Sequence, residues 1–194
     1  MKFYSFAIGL IKGLLKVFLL FRAKGKKNIP MEGAFLLCAN HNSLMDPVLI
    51  AAGCKRQLTF MGKDELFHVP VLGRLIKALG AFPIKRGKGD AAAVMATLKI
   101  MKRGGATLIF PEGKRMPRDE RKSVNSGIIR LAMQSEVPIL PAYVSRNKVF
   151  FGEPVYYNEY IDDMKDQEKM QILADSLMDT IYALNPKPKK PETK

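Results

Sequence analysis

The chain is poor in cysteine and histidine and has no tryptophan. It holds two cysteines, Cys38 and Cys54, and two histidines, His41 and His68. Both cysteines lie in apolar runs without a CxxC or Cys/His spacing, which argues against a zinc site and favours buried free thiols in a reducing, cytosolic compartment. His68 stands between two apolar residues without a patterned acid at a similar spacing. Any catalytic imidazole is therefore expected to be His41.

Acidic residues are scarce beside the basic ones. The chain has 32 Lys and Arg against 18 Asp and Glu, a formal net charge of +14. This balance favours anionic partners such as phospholipid head groups, phosphorylated small molecules or nucleic acid. Nucleic acid is disfavoured, because the basic residues are not interleaved with aromatics in a recognisable binding motif. The length of 194 residues and a hydrophobic content of 47% predict one domain with a substantial core.

Strand and helix patterns alternate along the chain. Short apolar runs predict strands at 34–39, 58–61, 106–110 and 139–144, and a further strand from Ala81 into a basic loop that ends at Gly89. Helical patterns cover 47–52, 71–79, 90–100, 124–134 and 170–184. The alternation predicts an α/β fold over residues 28–184. Residues 185–194 carry prolines and lysines and are expected to form a disordered tail.

Residues 3–21 form an apolar stretch that is broken by a narrow stripe. On a helix that stripe gathers Lys2, Ser5, Gly9, Lys12 and Lys16. Insertion across a bilayer is near break-even, because the apolar residues contribute about −4 to −7 kcal/mol and each of two lysines costs about +2.5 to +3.5. We expect residues 1–27 to form an amphipathic helix and basic stretch that anchor the protein on the anionic cytoplasmic face of the cell membrane, peripheral or monotopic. The alternative is a core helix packed on the domain.

The segment from Asn40 to Pro47 joins a predicted strand to a predicted helix. His41 follows the strand, and Asp46 before proline is typical of a helix N-cap. In open α/β sheets, ligands bind at the carboxyl ends of the strands, which is where this segment begins. If the loop brings both side chains together, the carboxylate would fix the imidazole tautomer and stabilise its protonated form, as in a catalytic triad. The alternative is a cap and an unrelated loop histidine.

Two further strand ends carry charged residues. Lys85 and Arg86 follow one predicted strand, and Arg115 follows Glu112 and Gly113 after another. Arginine at a pocket rim can bind phosphate oxygens bidentately. Glu112, between a proline and a glycine, could orient Arg115 or bind a substrate hydroxyl. A chain this basic also places some cations at strand ends by chance.

Together these blocks resemble the glycerolipid acyltransferases, especially the 1-acylglycerol-3-phosphate acyltransferases. Asn40–Asp46 is similar to the family's His-x-x-x-x-Asp block. The blocks around Arg86, over Phe110–Arg115 and over Val137–Pro141 follow in the family's order. The combination is much more specific than any block alone.

The resemblance implies a mixed β-sheet flanked by helices, of the glycerol-3-phosphate acyltransferase type. His41 would act as general base on the acceptor hydroxyl as that oxygen attacks an acyl-CoA or acyl carrier protein thioester, and Asp46 would orient the imidazole. Lysophosphatidic acid would be the acceptor, and no metal or cofactor is implied. The pocket for its glycerol phosphate would be formed by Lys85, Arg86, Glu112, Gly113 and Arg115.

Two departures from the family pattern leave the acceptor head group open. Lys114 and Met116 stand where the third block usually has hydroxyl residues, and the lysine often found ahead of the glycine matching Gly127 is missing. A non-catalytic basic lipid-binding module would explain the charge but not the His41 and Glu112 loops. A lipid-ester hydrolase would need a Gly-x-Ser-x-Gly elbow, which the chain lacks.

Overall fold

A mixed β-sheet lies at the centre of the protein. The computed structural model describes residues 8–9, 13, 20–84, 89–117, 124 and 126–186, and in these residues the sheet has seven strands. They are β1 (Arg22–Lys24), β2 (Phe35–Ala39), β3 (Leu58–Lys63), β4 (Ala81–Ile84), β5 (Ala106–Ile109), β6 (Ile139–Ser145) and β7 (Lys148–Phe151). The helices are α1 (Asp46–Gly53), α2 (Asp64–Phe67), α3 (Leu72–Ala78), α4 (Gly89–Lys102), α5 (Gly127–Ser135) and α6 (Gln167–Ala183). Two short 3-10 helices span Lys26–Asn28 and Asn158–Asp163.

The strand order places β2 in the middle of the sheet, in the sequence β1-β7-β6-β2-β5-β3-β4. Neighbouring strands are parallel except β6 and β7, which form an antiparallel hairpin. The mixed sheet flanked by helices is therefore confirmed. Because β2, β3, β4 and β5 run in one direction, the segments that follow them all begin at the same edge. That edge receives the loops that carry the predicted site residues.

Both faces of the sheet are covered by apolar packing. Phe35, Leu37 and Ala39 of β2 join a cluster that includes α1, and Leu36 and Cys38 join a second cluster with α5 and α6. All five residues are fully buried. A strand buried on both faces needs a continuous apolar sequence, which is why this run predicted a buried strand. Each buried leucine stabilises the fold by about 1.5–3 kcal/mol.

The predicted strands and helices are present with boundaries shifted by up to three residues. Gly80 follows α3 with a φ of +91°, and a Cβ there would lie 2.3 Å from the carbonyl oxygen of Leu58. Glycine therefore both ends the helix and permits the entry into β4. The strands β1 and β7 were not predicted. β1 is Arg-Ala-Lys with both ends exposed, and β7 has only three apolar residues after the exposed Lys148, so neither has an apolar run as long as those that indicated the other strands.

The two ends of the chain fall largely outside the described residues. The predicted amphipathic helix lies there except at residues 8, 9, 13 and 20–27, and the predicted disordered tail is described only at residues 185–186. Residues 22–24, which the sequence assigned to the basic stretch, pair with β7 as an edge strand. No helix in the described part of the chain combines the length and apolarity that a membrane span requires.

Candidate active site

The loop that carries the predicted catalytic pair is fastened to the sheet where it begins. Asn40 follows β2 and is fully buried. Its Oδ1 accepts a hydrogen bond from the backbone N–H of Val144 at 2.7 Å, and its Nδ2 donates to the carbonyl of Val144 at 3.0 Å. The same Nδ2 donates to Oδ1 of Asn42 at 2.6 Å. The chain thus leaves β2 in a direction that is fixed by β6.

The structure brings His41 and Asp46 into contact. Nδ1 of His41 lies 3.1 Å from Oδ2 of Asp46. The Asp46 side chain is 5% exposed and the His41 side chain 17% exposed, so the pair is shielded while the imidazole still reaches the surface. With Nδ1–H directed at the carboxylate, Nε2 is the ring nitrogen that can take up a proton. The pair therefore has the geometry of a general base and its orienting acid.

Asp46 does not cap α1, which corrects the expectation from the sequence. It is the first residue of the helix, and Met45 before it makes no side-chain capping hydrogen bond. Oδ2 of Asp46 instead accepts from the backbone N–H groups of Asn42 and Ser43, each at 2.7 Å. The turn closed by the Asp46 N–H and the Ser43 carbonyl brings these loop donors to the carboxylate. One oxygen thus fixes both the loop backbone and the imidazole.

A second loop, which follows β5, packs on His41. The Phe110 ring stacks on the imidazole with centroids 4.0 Å apart and planes 17° apart. The Met116 N–H donates to the carbonyl of His41 at 2.7 Å. Nδ2 of Asn42 donates in return to the carbonyls of Met116 and Pro117, at 3.0 and 3.3 Å. The loops after two adjacent strands thus hold each other, and the orientation of the ring is set from both sides.

Glu112 lies on the same loop after β5, and it is 5% exposed. Its Oε2 accepts from the backbone N–H of His41 at 2.8 Å, and its Oε1 accepts from the hydroxyl of Tyr182 in α6 at 2.8 Å. The sequence suggested that Glu112 orients Arg115 or binds substrate. In the structure both carboxylate oxygens accept hydrogen bonds from protein donors, and one of these bonds holds the backbone of His41. Substrate binding by Glu112 stays a prediction.

Burial raises the pKa of Glu112 above its ordinary value. The hydrogen bonds from Tyr182 and His41 and the nearby His41 imidazole oppose this rise, while the Asp46 charge adds to it. Tyr182 was not predicted as a functional residue. The available signal was a tyrosine on the apolar face of a helix, since a buried phenol hydroxyl usually has a hydrogen-bond partner.

The predicted phosphate-binding residues are only partly described. Gly113, with a φ of +67°, and Arg115 lie exposed on the loop after β5, and no carboxylate among the described residues pairs with Arg115. Lys85 and Arg86 lie outside the described residues. The chain reaches them from β4, whose last residue Ile84 is at the same edge of the sheet as His41. Convergence of these cations on one phosphate stays a prediction.

Neither cysteine resembles a nucleophile. Cys38 and Cys54 are buried and are not joined in a disulfide, and burial raises the pKa of Cys38 far above its ordinary value. Across the described part of the chain, His, Cys, Asp and Glu side chains form no group of three that could hold a metal ion.

Comparison with known proteins relates most of the chain to acyltransferases. The sequence model described as Acyltransferase matches residues 21–145. The 1-acyl-sn-glycerol-3-phosphate acyltransferase of Bacillus subtilis is 23% identical over 95% of this chain and 98% of its own length. The protein of the same name from Streptococcus pneumoniae is 31% identical over 87% of this chain and 66% of its own length. The crystal structure of the 1-acyl-sn-glycerophosphate acyltransferase PlsC from Thermotoga maritima superposes with a TM-score of 0.70 at 22% identity, covering 96% of this chain and 83% of that chain. This structural similarity concerns the fold.

Proposed function

The chain belongs to the acyltransferase family, and on that premise we propose that it acylates 1-acylglycerol-3-phosphate. The acyl group would come from a thioester, acyl-CoA or acyl carrier protein, and the product would be phosphatidic acid. Two relatives that match most of this chain carry the name of this activity. The observation that carries the proposal is the contact of 3.1 Å between Nδ1 of His41 and Oδ2 of Asp46.

The pair supplies the proton transfers that the reaction needs. Nε2 of His41 removes the proton of the acceptor hydroxyl while that oxygen attacks the thioester carbonyl. The Asp46 carboxylate stabilises the imidazolium that forms. The tetrahedral intermediate then expels the thiolate, which takes the proton back from the imidazolium. The acyl group moves directly between substrates, because the thioester is already activated.

The surroundings of His41 favour this role over that of a mobile surface histidine. Phe110 covers one face of the ring, and hydrogen bonds hold the residue's backbone N–H and carbonyl. A base that is fixed in this way does not have to be ordered in the transition state. The non-catalytic binding module offers no reason for such fixation.

The exposed cations support an anionic acceptor. Lys114 and Arg115 lie on the loop that holds His41, and a bidentate guanidinium contact suits a phosphate monoester. Lys85 and Arg86 would complete the phosphate pocket from the β4 side. Lys114 replaces the hydroxyl residue usual in the family, so it would add a charge where relatives offer a neutral donor.

We also propose that this edge of the sheet works at the surface of an anionic membrane. Leu44 and Met45, which are 64% and 45% exposed, lie within three to four residues of His41, and Val71 after β3 is 77% exposed. Exposed apolar residues beside cations suit a lipid interface, and the net charge of +14 favours anionic lipid. The N-terminal segment would add the main anchor. Both the acceptor and the product belong in that layer.

The proposal is tested by incubating the purified full chain with lysophosphatidic acid and an acyl thioester while measuring release of free thiol and formation of phosphatidic acid. We expect both products in equal amounts. Thiol release without phosphatidic acid would indicate hydrolysis, and no reaction would indicate a binding module. A parallel series of lysolipids with other head groups tests the acceptor. Faster acylation of a lysolipid without a phosphate monoester would shift the assignment to that acceptor.

A further inference from the structure

One contact of the candidate site that the proposed mechanism leaves unused comes from the last helix of the described chain. Tyr182 lies in α6, 37 residues beyond the segment that matches the acyltransferase family. It is 6% exposed, and its hydroxyl donates to Oε1 of Glu112 at 2.8 Å. The carboxylate that receives this bond is itself 5% exposed. Two buried polar groups that are 70 positions apart in the sequence therefore satisfy each other.

The second oxygen of Glu112 continues the path to the base. Oε2 accepts from the backbone N–H of His41 at 2.8 Å. We propose that Tyr182 is a positioning residue for the acyl-transfer reaction, acting through Glu112 to hold the backbone of His41 under its stacking partner Phe110. The inference rests on the proposed function for its catalytic readout. Its structural readout does not depend on any activity.

The hydroxyl of Tyr182 acts on the charge of Glu112 as well as on its position. Burial and the Asp46 charge favour the neutral carboxyl, whereas the bonds from Tyr182 and His41 and the imidazole favour the carboxylate. When the hydroxyl is removed, the pKa of Glu112 rises further. At a given pH a smaller fraction of Glu112 is then ionised, and the imidazolium formed during catalysis loses part of a nearby negative charge. Asp46 remains as its direct partner.

A purely structural role for Tyr182 makes a different prediction. Its ring packs in the apolar cluster between α6 and the sheet, and its centroid lies 5.9 Å from that of the Tyr143 ring, with the planes tilted by 59°. Tyr182→Phe keeps this ring and removes only the hydroxyl. Tyr157→Phe is the matched control, because Tyr157 is also a buried tyrosine of the same core cluster, 5% exposed, and makes no described contact with Glu112.

We expect Tyr182→Phe to lower kcat about tenfold with an unchanged acceptor KM, because small displacements of a catalytic group reduce turnover more than binding. Tyr157→Phe should keep the wild-type kcat. A wild-type kcat in Tyr182→Phe would overturn the proposal, as would equal losses in both variants.

A double-mutant cycle tests whether Tyr182 acts through Glu112. The kcat of Tyr182→Phe/Glu112→Ala should equal that of Glu112→Ala alone, because the hydroxyl then has no side chain through which to act on His41. Multiplicative losses would contradict the path.

Amide exchange and the ¹H–¹⁵N resonance of the His41 backbone give the readout without activity. Tyr182→Phe should shift that resonance and speed its exchange, and Tyr157→Phe should not. If wild-type protein acylates no lysolipid but His41 still responds, the proposed function fails and the coupling stands. If His41 does not respond, the coupling fails.

Discussion

The substitution Asp46→Asn separates the charge of the carboxylate from its geometry. Three donors converge on one oxygen, Oδ2: the backbone N–H groups of Asn42 and Ser43 at 2.7 Å and Nδ1 of His41 at 3.1 Å. An asparagine that places its amide oxygen at this point can accept all three. The loop and the imidazole tautomer are then kept, and the negative charge is lost.

The magnitude follows from the position of the pair. A hydrogen bond to a charged acceptor contributes about 1 kcal/mol more than one to a neutral acceptor. At about 4 Å a full charge interaction is worth about 1 kcal/mol in water and about 4 kcal/mol at the effective dielectric constant near a protein surface. Because the Asp46 side chain is 5% exposed and His41 17%, the environment lies between these limits. We expect kcat to fall by about 10- to 10³-fold, with the acceptor KM unchanged.

The comparison variant is Asp46→Ala, which leaves two loop N–H groups without their acceptor and should lower the free energy of unfolding by about 1–3 kcal/mol for each N–H that becomes unsatisfied. Steady-state thiol release gives kcat and KM, and urea unfolding gives stability. If Asp46→Asn kept the wild-type kcat, stabilisation of an imidazolium would be refuted. If it were as unstable as Asp46→Ala, the amide would not be occupying the carboxylate's position.

Three further predictions concern Arg115 at the rim of the proposed phosphate pocket, the buried Glu112 and the N-terminal anchor. Arg115→Ala should raise the acceptor KM about ten- to hundredfold, the worth of one charge-assisted phosphate contact, while Arg103→Ala at the opposite end of β5 should not. The pKa of Glu112 is raised in the folded state, so its contribution to stability is fully present below the unfolded-state pKa of about 4.3 and is lost as the pH rises through the folded-state pKa. In urea titrations, the free energy of unfolding of wild type relative to that of Glu112→Gln should therefore fall as the pH rises. Deletion of residues 1–19, which leaves β1 intact, should release protein from anionic vesicles and reduce activity on vesicles more than on detergent-dispersed acceptor.

Each of these predictions has an opposing result. Loss of acyl-donor affinity alone in Arg115→Ala would place the cation at the donor. A stability difference for Glu112→Gln that is constant with pH would mean that burial does not perturb this carboxyl. Full-length protein that stays in membranes after alkaline carbonate, with a tag before Met1 reachable only from the far side, would show a spanning helix and overturn the interfacial anchor.

The sequence predicted the central strands and their helices because local patterns determine them. The unbroken apolar run of β2 indicates burial on both faces, and Gly80 ends α3 where a left-handed residue is needed. The contact between His41 and Asp46 could also be anticipated, since five residues of loop at a strand end can bring the two side chains together. These features depend on neighbours close in the chain.

The contacts that the sequence did not predict join distant residues. Tyr182 and Glu112 are 70 positions apart, and only the packing of α6 against the sheet brings them together. The edge strand β1 is held by β7, more than 120 residues later, and its own residues carry no strand pattern. Asp46 had two sets of backbone donors within reach, those of the helix and those of the loop. The turn at Ser43 selects the loop donors, and a capping pattern does not encode that turn.

The most direct test of the account is the turnover of His41→Ala beside that of His68→Ala. These are the two histidines of the chain, and the His68 side chain is 77% exposed, near Asp64 rather than Asp46. Removal of a positioned general base should lower kcat for acyl transfer to lysophosphatidic acid by about 10²- to 10⁴-fold, with the fold retained because His41 lies on a loop. His68→Ala should keep the wild-type rate. A folded His41→Ala protein that transfers acyl groups at the wild-type rate would contradict the mechanism.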